Sequence, residues 1–323
     1  MATEAPCGEG AVATLEAIVA RALAGPGASL ERVAQPTGES GQSVAAHQRR
    51  QPTLISDAQT AWRQMQATDL VGRSMPVVWF ASAGAGGGEA ASRPTLRGGE
   101  RATLALGATA DGGKAVLGVW AGGAAEHRCS EHVAGDLRGR GLGRGSAWVA
   151  VTGGERALGL ALRQHWPNRD VVVAHCQQRV AAEVLGHLPV SLRPQAGQAL
   201  RGALGGSGCD QCPAGLGGPG HRLAGGTPRG GRPLAAEAEP TTVIQGLGVR
   251  GALAERLRTA VPARYLLEQC LPAARGRSGP AWVAAVATEA RRRQAGFHRL
   301  AEQAGLGPLV RALAEYRAAQ ATR

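Results

Sequence analysis

Three kinds of residue in this chain have types and spacings that could do chemistry. Cys209-Asp-Gln-Cys212 has the spacing of a zinc knuckle, and His221 follows it. A closed tetrahedral zinc site needs a second ligand pair, which this lone pair lacks. Ala83-Gly-Ala-Gly-Gly-Gly88 follows an apolar run, as a phosphate-cradling loop would. It lacks the Gly-Lys-Ser/Thr ending of such a loop and the spacing of a dinucleotide fingerprint. A flexible connection is the better account. The third kind is clustered arginine: Arg49-Arg50, Arg63, Arg275, Arg277 and Arg291-Arg292-Arg293. Arginines so grouped can contact phosphates, or they can form a solvated helix face.

The overall charge is consistent with the first use of those arginines. The chain has 323 residues and a formal net charge of +12, with a pI near 10.9. That balance suits a polyanionic partner. Lys114 is the sole lysine and Asn168 the sole asparagine, the usage of a GC-rich gene. Codon bias explains arginine in place of lysine. It does not explain the surplus of positive charge, because both residues carry the same charge. Six cysteines, Cys7, Cys129, Cys176, Cys209, Cys212 and Cys270, show no secretory disulfide pattern. The start Met1-Ala-Thr-Glu-Ala-Pro6 lacks the basic and apolar parts of a signal peptide. No run of about 18 apolar residues predicts a membrane span. These features predict a cytoplasmic protein.

The elements that must position any site are clearest between Arg101 and Pro189. Arg101–Gly107 is apolar and of strand length, and Lys114–Trp120 returns as its partner. Ala110-Asp-Gly-Gly113 between them predicts a two-residue hairpin, since Asp-Gly supplies the positive φ it needs. Ser146–Val151 and Asp170–Ala174 are short continuous apolar runs, as in strands buried on both faces. Val77–Ala81 is a fifth strand upstream. Glu126–Gly141, Glu155–Trp166 and Cys176–Leu188 read as helices, the last two stopped by prolines. Ala11–Leu23 is an amphipathic helix, and Ser56 can cap another running to Leu70. Three strands in succession, then strands alternating with helices, predict an α/β fold. The expected form is a ribonuclease-H-like mixed five-stranded sheet with flanking helices and an N-terminal helical region.

A series of short segments then resembles the catalytic core of mutator-type insertion-sequence transposases. The series includes Asp69-Leu-Val-Gly72, Val77-Val-Trp-Phe80, Ala110–Trp120 and Asp136-Leu-Arg-Gly-Arg-Gly-Leu142. It continues through Ala150–Leu158, His175-Cys-Gln177, Val184–Pro189, Leu247-Gly-Val249, Leu266-Leu-Glu268, Trp282-Val-Ala-Ala285 and Leu309–Leu313. The segments keep their order from about Leu54 to the C-terminus. The match is poor at Gly84–Glu100 and Gly202–Glu239. The resemblance implies four regions: a helical, DNA-recognising part at 1–70; the first part of the core at 71–201; a Gly/Pro/Arg-rich insertion at 202–240; and C-terminal helices at 241–323. It also implies DNA transposition, with transposon ends and target DNA as partners. It leaves a homo-oligomer open and calls for no small-molecule cofactor.

Such enzymes cut and join DNA with two Asp and one Glu that hold paired Mg²⁺ or Mn²⁺ ions. Carried over position by position, the first Asp falls on Ser82, after the strand Val77–Ala81. The second falls on Gly153, after Ala150-Val-Thr152. Only the Glu remains, as Glu268. The Cys-x-x-His often seen in the family is broken too, because Arg179 stands three residues after Cys176. The expectation is a transposase scaffold with an impaired metal site, or a binding protein without chemistry. Asp111, Glu155 and Glu89 are the acids that could stand in for lost ligands. Asp111 and Glu155 have plainer roles, as a turn former and as an acid favoured near a helix start. In this reading Arg49, Arg50, Arg275, Arg277 and Arg291–Arg293 contact DNA phosphates.

Overall fold

Five strands form one sheet in the order β3-β2-β1-β4-β5. They are β1 (Val77–Gly84), β2 (Arg101–Ala108), β3 (Lys114–Ala121), β4 (Trp148–Thr152) and β5 (Val171–His175). The structure, a computed structural model, describes residues 57–84, 100–167, 170–186, 189–205, 243–249, 251–259, 261–297 and 306–321. All of them belong to one compact unit, Gln51–Arg323. β1, β2 and β3 run antiparallel in succession. β4 pairs parallel with β1, and β5 parallel with β4. The sheet is therefore mixed, and each expected strand is present.

Strand alternation splits the core in two. Val77, Trp79 and Ala81 join one apolar cluster, while Val78 and Phe80 join the other. The second cluster includes residues of α2 (His127–Gly139) and α3 (Arg156–His165), such as Val133, Leu137, Leu158 and Leu162. The first takes in α6 (Gly251–Leu257), α7 (Val261–Cys270), α8 (Gly279–Phe297) and α9 (Gly307–Ala321). Both faces of the central strands are thus covered by helices, which is why β4 and β5 are wholly buried and read as continuous apolar runs. Further helices include α1 (residues 57–66), α4 (Gln177–Gly186) and α5 (Arg193–Gly205). Among the described residues no helix is long and apolar enough to cross a membrane.

Arg140 fastens α1 to the sheet. Its guanidinium donates to the carbonyls of Thr68 (2.9 Å), Leu117 (2.8 Å) and Met65 (3.1 Å), and to Asp136 at 3.1 Å. Trp62 Nε1 donates to Val119 O at 2.8 Å from the same helix. Long polar side chains thereby satisfy backbone carbonyls that packing alone would leave without donors.

Three local readings change. The β2–β3 connection is not a two-residue hairpin: it spans Thr109–Gly113, and Gly112 is the residue with positive φ, at 88°. Thr109 organises it, its backbone N–H reaching Gly113 O at 2.8 Å and its hydroxyl Asp111. β1 runs on through Ser82, Ala83 and Gly84, which pair with Thr103, Ala102 and Arg101. α5 was not expected, because Gly197, Gly202 and Gly205 dilute its pattern, yet it buries Ala196 and Leu200.

Candidate functional site

A cleft of about 840 Å³ opens at the carboxyl edge of β1 and β4. From β1 the chain goes to β2 on one side, then returns to the other side through β4. That change of direction is where open α/β sheets leave a crevice for a ligand. Loop 123–125 leads into α2, Gly153 and Glu155 into α3, and Cys176 into α4; each of these segments lines the cleft. Three helix N-termini therefore begin at its wall and bring their partial positive charge. The opposite wall comes from α7 and from the Leu271–Arg277 segment.

The three positions singled out from the family pattern meet here. Ser82, Gly153 and Glu268 come from β1, the β4–α3 turn and α7, and all line this cleft. Ser82 lies inside β1 and not after it, because its strand pairing continues to Gly84. Its hydroxyl makes two hydrogen bonds. Thr103 Oγ1 spends its single proton on Gly122 O at 2.9 Å, so Ser82 is the donor in their 2.9 Å contact. Ala124 N–H in turn donates to Ser82 Oγ at 3.0 Å. Glu126 accepts from Gly123 N–H at 3.1 Å, and Ser130 donates to Ala124 O at 2.8 Å. Ser82 is thus part of the bracing that holds loop 122–126 against the sheet.

Gly153 has no side chain, and its empty place is occupied. A Cβ built there would lie 2.6 and 2.9 Å from the two carboxylate oxygens of Glu155. Glu155 is the N-cap residue of α3, but its side chain makes no capping bond. Among the described residues that carboxylate has no hydrogen-bond or ion-pair partner. Glu268 is half exposed, and its Oε1 accepts from Arg264 Nε at 2.8 Å. The third acid of the cleft, Glu100, accepts from Gly279 N–H at 2.8 Å.

Arginine outnumbers acid in this space. Arg101, Arg179, Arg264, Arg275 and Arg277 line it, against Glu100, Glu155 and Glu268. Arg264 is paired with Glu268, and Arg101 also has a partner. The guanidinium groups of Arg179, Arg275 and Arg277 have none among the described residues. A protein interior or rim that leaves guanidinium groups unpaired in a concave site is electrostatically prepared for an anion. Arg275 and Arg277 are exposed, and Arg179 is half-buried.

The donor set does not fit a pair of Mg²⁺ or Mn²⁺ ions. These ions take several hard oxygen ligands, mostly carboxylates. Ser82 offers a neutral hydroxyl already engaged in two hydrogen bonds, Gly153 offers no side chain, and Glu268 is held by Arg264. The surrounding guanidinium groups repel cations. Among the described residues no group of three or more His, Cys, Asp or Glu is placed to hold a metal ion.

The other expected site residues divide. Arg292 and Arg293 on α8 are tied to Glu289, the first at 2.6 Å, and only Arg291 of that triplet makes no ion pair among the described residues. The hydrogen bond from Arg292, supported by Arg293, lowers the Glu289 carboxyl from its ordinary 4.5 to about 2. Arg63 is exposed on α1 and does not line the cleft. Asp111 sits at the β2–β3 turn, bonded by Thr109, and is likewise absent from the cleft wall. Burial pushes the Cys270 thiol up to about 12 and raises that of Cys129, so neither is a ready nucleophile. Arg49, Arg50, Glu89, Cys209, Cys212 and His221 lie outside the described residues. Sequence reasoning missed Arg101 and Arg264 as cleft residues. It met Arg179 only as the residue that breaks a Cys-x-x-His.

The fold and site define an α/β protein with a basic cleft at the carboxyl edge of its central strands. No protein-family model matches the chain, and no curated protein is a significant match to it.

Proposed function

We propose that this chain is a DNA-binding protein on a ribonuclease-H-like scaffold of transposase descent, holding phosphates in the cleft without two-metal chemistry. The carrying observation is the pairing state of the cleft: Arg179, Arg275 and Arg277 line it without partners among the described residues. Ser82 and Gly153 stand where the transposase pattern calls for carboxylates. The sheet order and the meeting of Ser82, Gly153 and Glu268 in one cleft support the transposase descent. The formal charge of +12 supports a polyanionic partner. The work of the site is then electrostatic. Guanidinium groups and helix N-termini neutralise phosphates, and counterions released from the DNA supply much of the affinity.

The test is binding of a fluorescein-labelled DNA duplex between about 50 and 200 mM salt, followed by anisotropy. Contact by three arginines gives a slope of log K on log salt of about −3, at roughly −0.9 per phosphate. In parallel, Mn²⁺-dependent nicking is compared between this chain and its Ser82→Asp/Gly153→Asp variant. The expected result is salt-sensitive binding and no nicking by the unmodified chain. A salt-independent or absent interaction overturns the binding reading. Nicking by the unmodified chain overturns the assignment of the metal positions.

A further inference from the structure

Among the described residues, Glu155 is the one cleft acid with no hydrogen-bond or ion-pair partner. Glu100 holds the N-terminus of α8 and Glu268 holds Arg264. Glu155 caps nothing, and its carboxylate has no partner among the described residues. It rests against Gly153, and its oxygens take up the space that any side chain at that position would need. A Cβ at residue 153 would push this carboxylate aside, a small displacement for the flexible end of a glutamate side chain. The arrangement places a negative charge at the carboxyl end of β4, on the wall of a cleft whose Arg179, Arg275 and Arg277 have no partners among the described residues.

We propose that Glu155 is a tethered competitor for the phosphate site, a specificity-determining carboxylate that weakens anion binding in the cleft. This rests on the reading of the cleft as a phosphate site. A phosphate drawn in by Arg179, Arg275 and Arg277 meets a like charge across the same solvent-filled space. The repulsion disfavours small, weakly held anions. A DNA backbone overcomes it, because a polyanion engages several guanidinium groups at once. A helix N-terminus that would otherwise attract an anion on its own is thereby closed to stray phosphate. The ligand class selected is an extended polyphosphodiester and not a free phosphate monoester.

The test measures affinity of the duplex, and separately of inorganic phosphate, for the full chain and for Glu155→Gln, once in EDTA and once with Mn²⁺ and no chelator. Glu155→Ala serves as a second variant should the glutamine fold poorly. Glu155→Asp keeps the charge. The neutral variants are expected to bind the duplex about three- to tenfold more tightly, the scale of one like-charge contact at a wet surface. They are also expected to show inorganic phosphate binding that the parent lacks, while Glu155→Asp stays close to the parent. Unchanged or weaker binding by both neutral variants overturns the proposal. So does a Mn²⁺-dependent gain in parent affinity that Glu155→Gln loses, which makes Glu155 a cation ligand. Failure of the underlying reading looks different: a joint Arg275→Ala/Arg277→Ala change would then leave duplex affinity intact whatever residue 155 is.

Discussion

The arginines of the cleft and those of α8 have the same chemistry and similar exposure, yet opposite states. Arg275 and Arg277 follow α7, and Arg292 and Arg293 sit near the end of α8. Every one of them adds to the formal charge of +12. Arg292 and Arg293 share Glu289, one turn back on the same helix, so their charge is answered within the molecule. Among the described residues, Arg275 and Arg277 make no such pair, although Glu100, Glu155 and Glu268 line the same cleft. Charge counted along a sequence is a poor guide to an anion site. Charge left unpaired beside a cavity is a better one.

The largest effect expected from this contrast is on DNA affinity. Replacing Arg179, Arg275 and Arg277 together with alanine removes three phosphate contacts of roughly 1 kcal/mol each. Duplex affinity at about 150 mM salt should fall on the order of a hundredfold, and the salt slope should flatten by about three. The matching change of Arg291, Arg292 and Arg293 to alanine should stay within about threefold, because two of those side chains already have a partner. Equal losses in both triple variants, read by anisotropy, would erase the distinction between the regions.

Much of the fold was legible because its strands and helices bury continuous or periodic apolar residues. Val171–Ala174 can be read as a buried strand from composition alone. β1 extends three residues beyond its apolar run Val77–Ala81, although Ser82, Ala83 and Gly84 carry no strand signal of their own. They are held in the sheet by their pairing with Arg101–Thr103, a contact distant in sequence. The site divides the same way. Ser82, Gly153 and Glu268 were found through an ordered pattern of short segments. Arg101 and Arg264 reach the cleft only because β2 and α7 pack beside β1, and nothing local marks them. The role of Glu155 was equally hidden. Near a helix start an acid looks like a cap, whereas in the fold its carboxylate lies over Gly153 and away from the capping position.

A second prediction turns the contrast between the arginine groups into a switch. Gly153→Asp inserts a side chain into the space that Glu155 fills. With both carboxylates present, two negative charges compete for one corner of the cleft, and duplex affinity should fall by about threefold to tenfold. Pairing it with Glu155→Gly should recover the affinity in part, since the clash and one charge are removed together. Metal-dependent nicking by Ser82→Asp/Gly153→Asp should likewise improve when Glu155→Gly is added. If the added change makes no difference to either readout, the two residues are not interlocked.

The smallest effect concerns the α8 arginines themselves. Glu289→Gln frees Arg292 and Arg293 from their shared partner, so they should come to resemble the cleft pair. Duplex affinity should rise by about twofold, and Tm at neutral pH should drop by about one or two degrees. The pH dependence has a definite sign. The hydrogen bond from Arg292, with help from Arg293, lowers the Glu289 carboxyl from 4.5 to about 2 in the folded state. A depressed carboxyl stabilises the fold above its unfolded pKa, and that contribution is lost as pH falls through its folded pKa. The Tm difference between parent and variant should be full above about pH 4.5 and shrink steadily toward pH 2. Thermal melts across that range decide it. A difference that persists unchanged at pH 2 would mean that Glu289 stabilises α8 through packing. Arg292 and Arg293 would then be as uncompensated as the arginines of the cleft, and pairing would no longer separate the two regions.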